Sequence, residues 1–230
     1  MRGVFLLTDY RKFRWKNRNT SEFKHLKLLW YWPFYGIVFF LLERGLKLSY
    51  HPVHCSLDDT IPFCEYFLIP YYFWFVYLIG MFVYTLLEDT ECFRRLMVFI
   101  MITYTVTCVI YLIYPTCQEL RPTIFLRDNV WMNVVKFLYV FDTNTNVCPS
   151  IHVIGSLAVL FASWHTPRFH CLKWQMFFWF SAILICLSTV FLKQHSVIDI
   201  AVAIPLCILA YPISFGKNLI QSEVKLNERN

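Results

Sequence analysis

Charged side chains are scarce in this chain. Lys, Arg, Asp and Glu make up 16% of its 230 residues, whereas a soluble domain carries about a quarter. The shortage is concentrated in uncharged runs near the roughly 20 residues a helix needs to cross a bilayer, which excludes an ordinary soluble globule. Zinc-type spacing is also missing: no CxxC pair or His/Cys cluster occurs, so no metal is expected. No internal repeat and no low-complexity linker divides the chain, so one domain is expected. The start "MRGVFLLTDYRKFRWKNRNT" has an apolar core of about four residues, where a secretory leader needs about seven or more. It reads as a basic arm instead. Nucleic acid is not an expected partner, because the basic residues are not interleaved with stacking aromatics in a soluble fold.

What the chain has in abundance is apolar surface: 58% of its residues are hydrophobic and 20% aromatic. Six runs stand out, at Leu28–Leu42, Phe67–Leu87, Leu96–Ile113, Ser150–Trp164, Trp174–Leu192 and Ser196–Phe215. The first and fourth are short; Trp30 and Trp32 suit the first as interfacial anchors. The expected fold is an all-α, six-helix transmembrane bundle. It comprises a basic arm (1–27), a six-span domain (28–215) and a tail (216–230). Fifteen of the 21 Lys and Arg fall on the arm, the turns "EDTECFRR" and "HTPRFHCLK", and the tail. By the positive-inside rule both termini of this multi-pass membrane protein are then cytoplasmic. The net charge of +6 is read as contact with anionic membrane lipids.

Nine cysteines are present. Cys92, Cys108, Cys171, Cys186 and Cys207 fall in spans or cytoplasmic turns and read as small apolar residues. Cys55, Cys64, Cys117 and Cys148 face outward, and one pair among them has the opportunity to bridge, with no connectivity implied.

Three polar segments lie where helices meet the outer face: "YPTCQELRP" (Tyr114–Pro122), "NVCPSIHV" (Asn146–Val153) and "KQHSVID" (Lys193–Asp199). If the helices bundle, they ring one outward pocket. Asp199 lies about a turn into the last apolar run, where an ionised carboxylate is costly unless paired or hydrated. His195 is four residues earlier on the same helical face. A carboxylate accepting from Nδ1–H leaves Nε2 free to act as nucleophile or base; the alternative is a pair that only braces the bundle. Pro149 suits a first helical turn. That puts Ser150 and His152 at a helix N-terminus, where anions are favoured, unless Ser150 is only an N-cap and His152 an interfacial histidine. Arg121 offers a planar fork for phosphate oxygens, or anchors a lipid headgroup. Together these groups point to phosphoryl transfer.

The three segments resemble the motifs KxxxxxxRP, PSGH and SRxxxxxHxxxD of the type 2 phosphatidic acid phosphatase (PAP2) superfamily. "YPTCQELRP" departs at Tyr114 in place of lysine, "PSIH" at Ile151 in place of glycine, and "STVFLKQHSVID" at Thr189 in place of arginine. The resemblance implies a six-span fold with an outward site, no cofactor and no metal. It implies that His195 attacks phosphorus, Asp199 orients that ring, and His152 protonates the departing alkoxide. Arg121 and Ser150 would hold phosphate oxygens. Tyr114 keeps one hydrogen bond where the family has a cation, and Lys193 is the natural substitute for the missing charge. Gln194 either donates to an oxygen or caps a helix, and Ser188 is read as a packing serine.

Three functions follow as expectations: a phosphatase acting on a lipid-linked phosphate or diphosphate, a phosphotransferase with an alcohol acceptor, or a non-catalytic lipid-binding scaffold. The apolar segment Asp128–Phe141 suits a helix lying in the outer interface, with a buried re-entrant piece or a loop helix packed on the bundle as the alternative. Asp58 and Asp59 are expected to solvate a loop, with gating of the pocket as the alternative. The run "YYFWFVY" (Tyr71–Tyr77) is expected to pack against lipid.

Overall fold

The computed structural model describes residues 8–46, 49–125 and 127–216. Residues 1–7 of the basic arm and 217–230 of the tail lie outside the described residues. Eight α-helices are present among them: α1 (Tyr31–Phe40), α2 (Ser56–Thr60), α3 (Leu68–Glu88), α4 (Thr90–Ile113), α5 (Val130–Phe141), α6 (Ile151–His165), α7 (Leu172–Phe191) and α8 (Val197–Phe215). Two short strands, β1 (His51–Pro52) and β2 (Thr116–Cys117), pair in parallel and tie the loop after α1 to the loop after α4.

Five segments are long and apolar enough to cross a membrane: Lys24–Gly45, Glu65–Glu88, Thr90–Ile113, Leu172–Phe191 and Val197–Phe215. The described chain is therefore all-α with the character of a membrane protein. Its outward faces are apolar, as a lipid solvent requires: Ile69, Val76 and Ile79 on α3 and Ile208, Leu209 and Ile213 on α8 are all exposed. α6 is the exception among the six apolar runs. At 15 residues it is shorter than a span, and it sits at the centre of the bundle with α3, α4, α7 and α8 around it. Its small residues Gly155, Ser156, Ala158, Ala162 and Ser163 are all buried, which lets neighbouring helices approach closely. A Cβ on Gly155 would stand 2.9 Å from Nε1 of Trp74, so α3 and α6 meet there with no room for a side chain.

The first span is composite: a 3-10 stretch (Lys24–Trp30) leads into α1, which ends in a π-helical turn (Leu41–Gly45). α5 falls in the segment Asp128–Phe141 and is amphipathic, as that segment's apolar spacing suggested. Met132, Val135 and Leu138 point inward at helical spacing, while Val130, Phe137, Val140 and Phe141 are exposed. The run Tyr71–Tyr77, expected against lipid, divides between two faces: Tyr72, Phe75 and Val76 are exposed, while Tyr71, Trp74 and Tyr77 are buried, Trp74 over Gly155 of α6 and Tyr77 against Phe178 of α7. All nine cysteines are free thiols.

Candidate functional site

The turn between α7 and α8 builds the site. α7 ends when Lys193 takes a left-handed backbone, φ 54°, and the carbonyl of Thr189 accepts from both Gln194 N (2.9 Å) and His195 N (3.1 Å), a closure typical of helix C-termini. α8 begins three residues later with a reciprocal cap. Ser196 Oγ accepts from Ile198 N at 3.1 Å, and Asp199 Oδ2 accepts from Ser196 N at 3.0 Å. The same Asp199 oxygen faces His195 Nδ1 at 3.0 Å. Asp199 is fully buried and sits in the first turn of its helix, where the dipole favours a negative charge. The string S-V-I-D is itself a capping-box signature, a local cue that a helix starts at this histidine.

His152 comes from the first turn of α6 and lies edge-on to His195, with ring centroids 5.6 Å apart. Tyr71 and Trp74 of α3 pack against it, each at 4.5 Å, so α3 holds this imidazole in place. Ser150 is the N-cap residue of α6 by position, but its side chain caps nothing. Its Oγ is buried and without a partner, as is His152 Nδ1. α6 starts at Ile151, not at Pro149 as the sequence suggested; Pro149 follows a cis bond outside the helix.

Arg121 reaches the site from the loop after β2. Its guanidinium donates to the carbonyls of Tyr139 (2.9 Å) and Asp142 (2.7 Å) and to Gln194 Oε1, and it stacks on the Tyr139 ring at 4.4 Å. Burial lowers its pKa, with Asp142 pulling the other way. Gln194 thus accepts from Arg121, and its Nε2 is left buried without an acceptor, as is Arg121 Nε.

Two expected ligands stand elsewhere. Lys193 Nζ donates to the carbonyls of Asp58 and Ile61, both at 2.6 Å, because its left-handed backbone sends the side chain toward α2. Burial lowers its pKa against the opposing charges of Asp58 and Asp59. Tyr114 is 55% exposed and stacks on His51, centroids 4.3 Å apart. The structure therefore brings His195, Asp199 and His152 together, ties Ser150 to Asp199 through its backbone N–H (3.3 Å) and links Arg121 to the turn through Gln194, and it leaves Lys193 and Tyr114 outside.

Asp58 does not solvate a loop. It is 2% exposed and accepts from Ser196 Oγ (2.6 Å), Val197 N (2.8 Å) and Cys55 N (2.8 Å). Burial works to raise its pKa, but these donors hold it below the usual carboxylate value. It clamps α2 onto the turn that carries His195. Asp59, by contrast, is exposed and faces His54 at 2.9 Å.

Two further carboxylates reach the site. Glu43, on the π-helical turn, and Asp142, just after α5, line a small polar cavity of about 20 Å³ with His152, Gln194 and His195. That space is close to one water molecule. Both also line an adjoining apolar cavity of about 710 Å³, walled by Phe39, Phe40, Trp74, Phe137 and Phe141. Thr143 Oγ1 donates to Glu43, and Tyr71 OH to Asp142. The sequence held one cue for Glu43, an acid closing an apolar run; nothing local marked Asp142. Among the described residues, no group of three or more His, Cys, Asp or Glu is arranged to hold a metal ion.

The class defined by this architecture is an all-α protein with five helices long and apolar enough to cross a membrane and a buried, polar, two-histidine pocket at one end. No protein-family model, curated protein or solved structure matches the chain.

Proposed function

We propose that the chain is a six-span membrane enzyme of the phosphatidic acid phosphatase type. It removes phosphate from a lipid-linked phosphate or diphosphate through a phosphohistidine on His195, and its pocket opens on the extracytoplasmic face. The observation that carries this reading is the His195–Asp199 contact of 3.0 Å, buried, with a second imidazole 5.6 Å away. The resemblance of the three sequence segments supports it. So do the buried donors without acceptors around the pair, Ser150 Oγ, Gln194 Nε2 and Arg121 Nε: oxygen acceptors of a phosphate would relieve the cost of leaving them unmade.

In the first step Asp199 accepts from Nδ1–H of His195, and the free Nε2 attacks phosphorus. The phosphorus–oxygen ester bond breaks, its electron pair leaves with the alkoxide, and protonated His152 supplies the proton. In the second step water gives its proton back to His152 and attacks phosphorus. The phosphorus–nitrogen bond breaks and phosphate departs. Asp58 holds Ser196, and through it the position of His195. The wall of Phe39, Phe40, Phe137 and Phe141 suits an alkyl chain reaching the pocket from the bilayer.

The same intermediate serves a transferase if an alcohol replaces water, and none forms in a non-catalytic lipid-binding scaffold. The test is purification in mild detergent with a panel containing phosphatidic acid, phosphatidylglycerol phosphate and polyprenyl diphosphate. Free phosphate and acid-labile, base-stable phosphoprotein are measured for wild type and His195→Ala. Phosphate release by wild type alone supports the phosphatase. Phosphoprotein with new lipid products only on addition of alcohols moves the assignment to transfer. Neither signal from wild type refutes catalysis.

A further inference from the structure

Two cations of the resembled motifs are missing, at Tyr114 and Thr189. The structure removes their expected substitute as well, by turning Lys193 to the carbonyls of Asp58 and Ile61. Among the described residues the walls of the polar and apolar cavities beside His152 hold one Lys or Arg, and it is Arg44. It lies outside all three motif segments, on the π-helical turn Leu41–Gly45 that ends the first span. In an α-helix successive residues point about 100° apart, and the wider π-turn narrows that angle. Glu43 and Arg44 accordingly line the same cavity. Single π-turns of this kind occur frequently at functional sites.

The Arg44 guanidinium is only partly committed. Nη2 donates to Phe141 O at 2.9 Å and more weakly to Val140 O at 3.5 Å. Among the described residues Nε and Nη1 have no hydrogen-bond partner. Arg121 grips the same helix end, donating to Tyr139 O and Asp142 O. The neighbouring carbonyls of Phe141 and Asp142 therefore hold one guanidinium each, and the end of α5 sets their spacing. The wall that carries Arg44 also carries His152, Glu43 and Asp142. A phosphate arriving from the aromatic side must pass these two carboxylates, and a guanidinium in the same wall offsets their repulsion.

We propose that Arg44 is a substrate-binding residue: Nη1 donates to an oxygen of the lipid phosphate while Nη2 keeps its hold on α5. This rests on the phosphohistidine reading and names the residue that replaces the cations missing from its motifs. A planar fork fixed by a helix end suits phosphate oxygens better than a mobile ammonium would.

Binding is measured to the full-length His195→Ala protein in phosphatidylcholine nanodiscs, so the readout does not depend on turnover. The probes are dioleoyl phosphatidic acid and dioleoylglycerol, alike in chain and different in charge. Phosphatidic acid should bind at least tenfold more tightly. Adding Arg44→Gln should cut that ratio at least fivefold, Arg44→Lys should recover part of it, and Lys193→Gln should leave it unchanged. Because Arg44→Gln also removes a cap from α5, a second measurement keeps the arginine: phenylglyoxal labelling of Arg44, read by mass spectrometry. Phosphatidic acid should slow that labelling at least fivefold relative to dioleoylglycerol. Four results overturn the proposal: no preference for phosphatidic acid, a ratio untouched by Arg44→Gln, labelling that phosphatidic acid does not slow, or equal loss of both lipids, as an arginine that only anchors the helix at the interface would give. Turnover is followed in parallel. Turnover that survives His195→Ala refutes the phosphohistidine reading and leaves Arg44 as a phosphate ligand. Phosphohistidine formed by Arg44→Gln at the wild-type rate, with lipid below saturation, refutes the role of Arg44 alone.

Discussion

Replacing Asp58 should loosen the turn between α7 and α8 before it touches His195 or Asp199. The carboxylate accepts three hydrogen bonds, from Ser196 Oγ, Val197 N and Cys55 N, and is 2% exposed. Bonds to a charged acceptor contribute about 1.5–3 kcal/mol each, and they are not additive. Asp58→Ala leaves three donors facing a cavity, so a loss of about 3–5 kcal/mol is expected, in the range for breaking a buried charged network. Asp58→Asn keeps the volume and one acceptor, and Ser196 Oγ can reverse to accept from the amide, so about 1–2 kcal/mol is expected. For a chain of this size 1 kcal/mol moves the melting temperature by about 2–4 °C, which puts Asp58→Ala on the order of 10 °C below wild type. Ser196 follows His195 directly, so under the proposed phosphohistidine mechanism the rate constant for that step should fall with little change in lipid affinity. The pH dependence has a definite sign. The folded pKa is depressed, so the stabilisation is present above the unfolded value of 3.8 and is lost as pH falls through the folded value. The stability gap between wild type and Asp58→Asn should therefore stay constant from pH 7 to 5 and close only below about pH 4. Melting curves of detergent-solubilised protein across that range provide the assay. A melting temperature for Asp58→Ala within 1–2 °C of wild type, roughly what a surface change gives, would refute the clamp.

Other substitutions report on other contacts. Gly155→Ala forces its new Cβ against the Trp74 indole, 2.9 Å from Nε1, and should cost about 1–3 kcal/mol; Trp74→Phe in the same protein should recover part of it, as melting temperatures will show. Arg121→Lys loses the planar fork and the stack on Tyr139, so under the proposed phosphatase activity kcat/KM should drop by about 100-fold, equivalent to about 2.7 kcal/mol. Lys193→Gln should lower the melting temperature, because Nζ bonds Asp58 O and Ile61 O, yet leave KM for the lipid phosphate near wild type; a selective rise in KM would return Lys193 to the phosphate. Cys171 is exposed in the turn before α7; on the positive-inside topology expected from the sequence, a single-cysteine variant retaining it should react with a membrane-impermeant maleimide only after the cytoplasmic side is opened, and reaction in sealed cells would reverse that topology.

The sequence alone determined that the chain belongs with membrane proteins, because uncharged runs of this length follow from local composition. It also put His195 within reach of Asp199, although His195 stands just ahead of the N-cap Ser196 and not on the helix face the spacing suggested, and the two meet through the cap. α5 was legible because its apolar residues recur at helical spacing. What needed the tertiary structure was every choice made across segments. Whether Lys193 faces the pocket depended on one left-handed residue after α7 and on carbonyls more than 130 positions away. Asp58 looked like a solvated loop acid because two of its three donors, Ser196 Oγ and Val197 N, come from the distant start of α8. Glu43 and Asp142 meet at the junction of the two cavities although nearly a hundred residues separate them. α6 matched a span in composition, but its place in the bundle comes from small residues that let α3, α4, α7 and α8 close around it. Local composition and periodicity act within a few turns of chain. The partners that decide where a charge points are chosen by packing, over distances no local pattern spans.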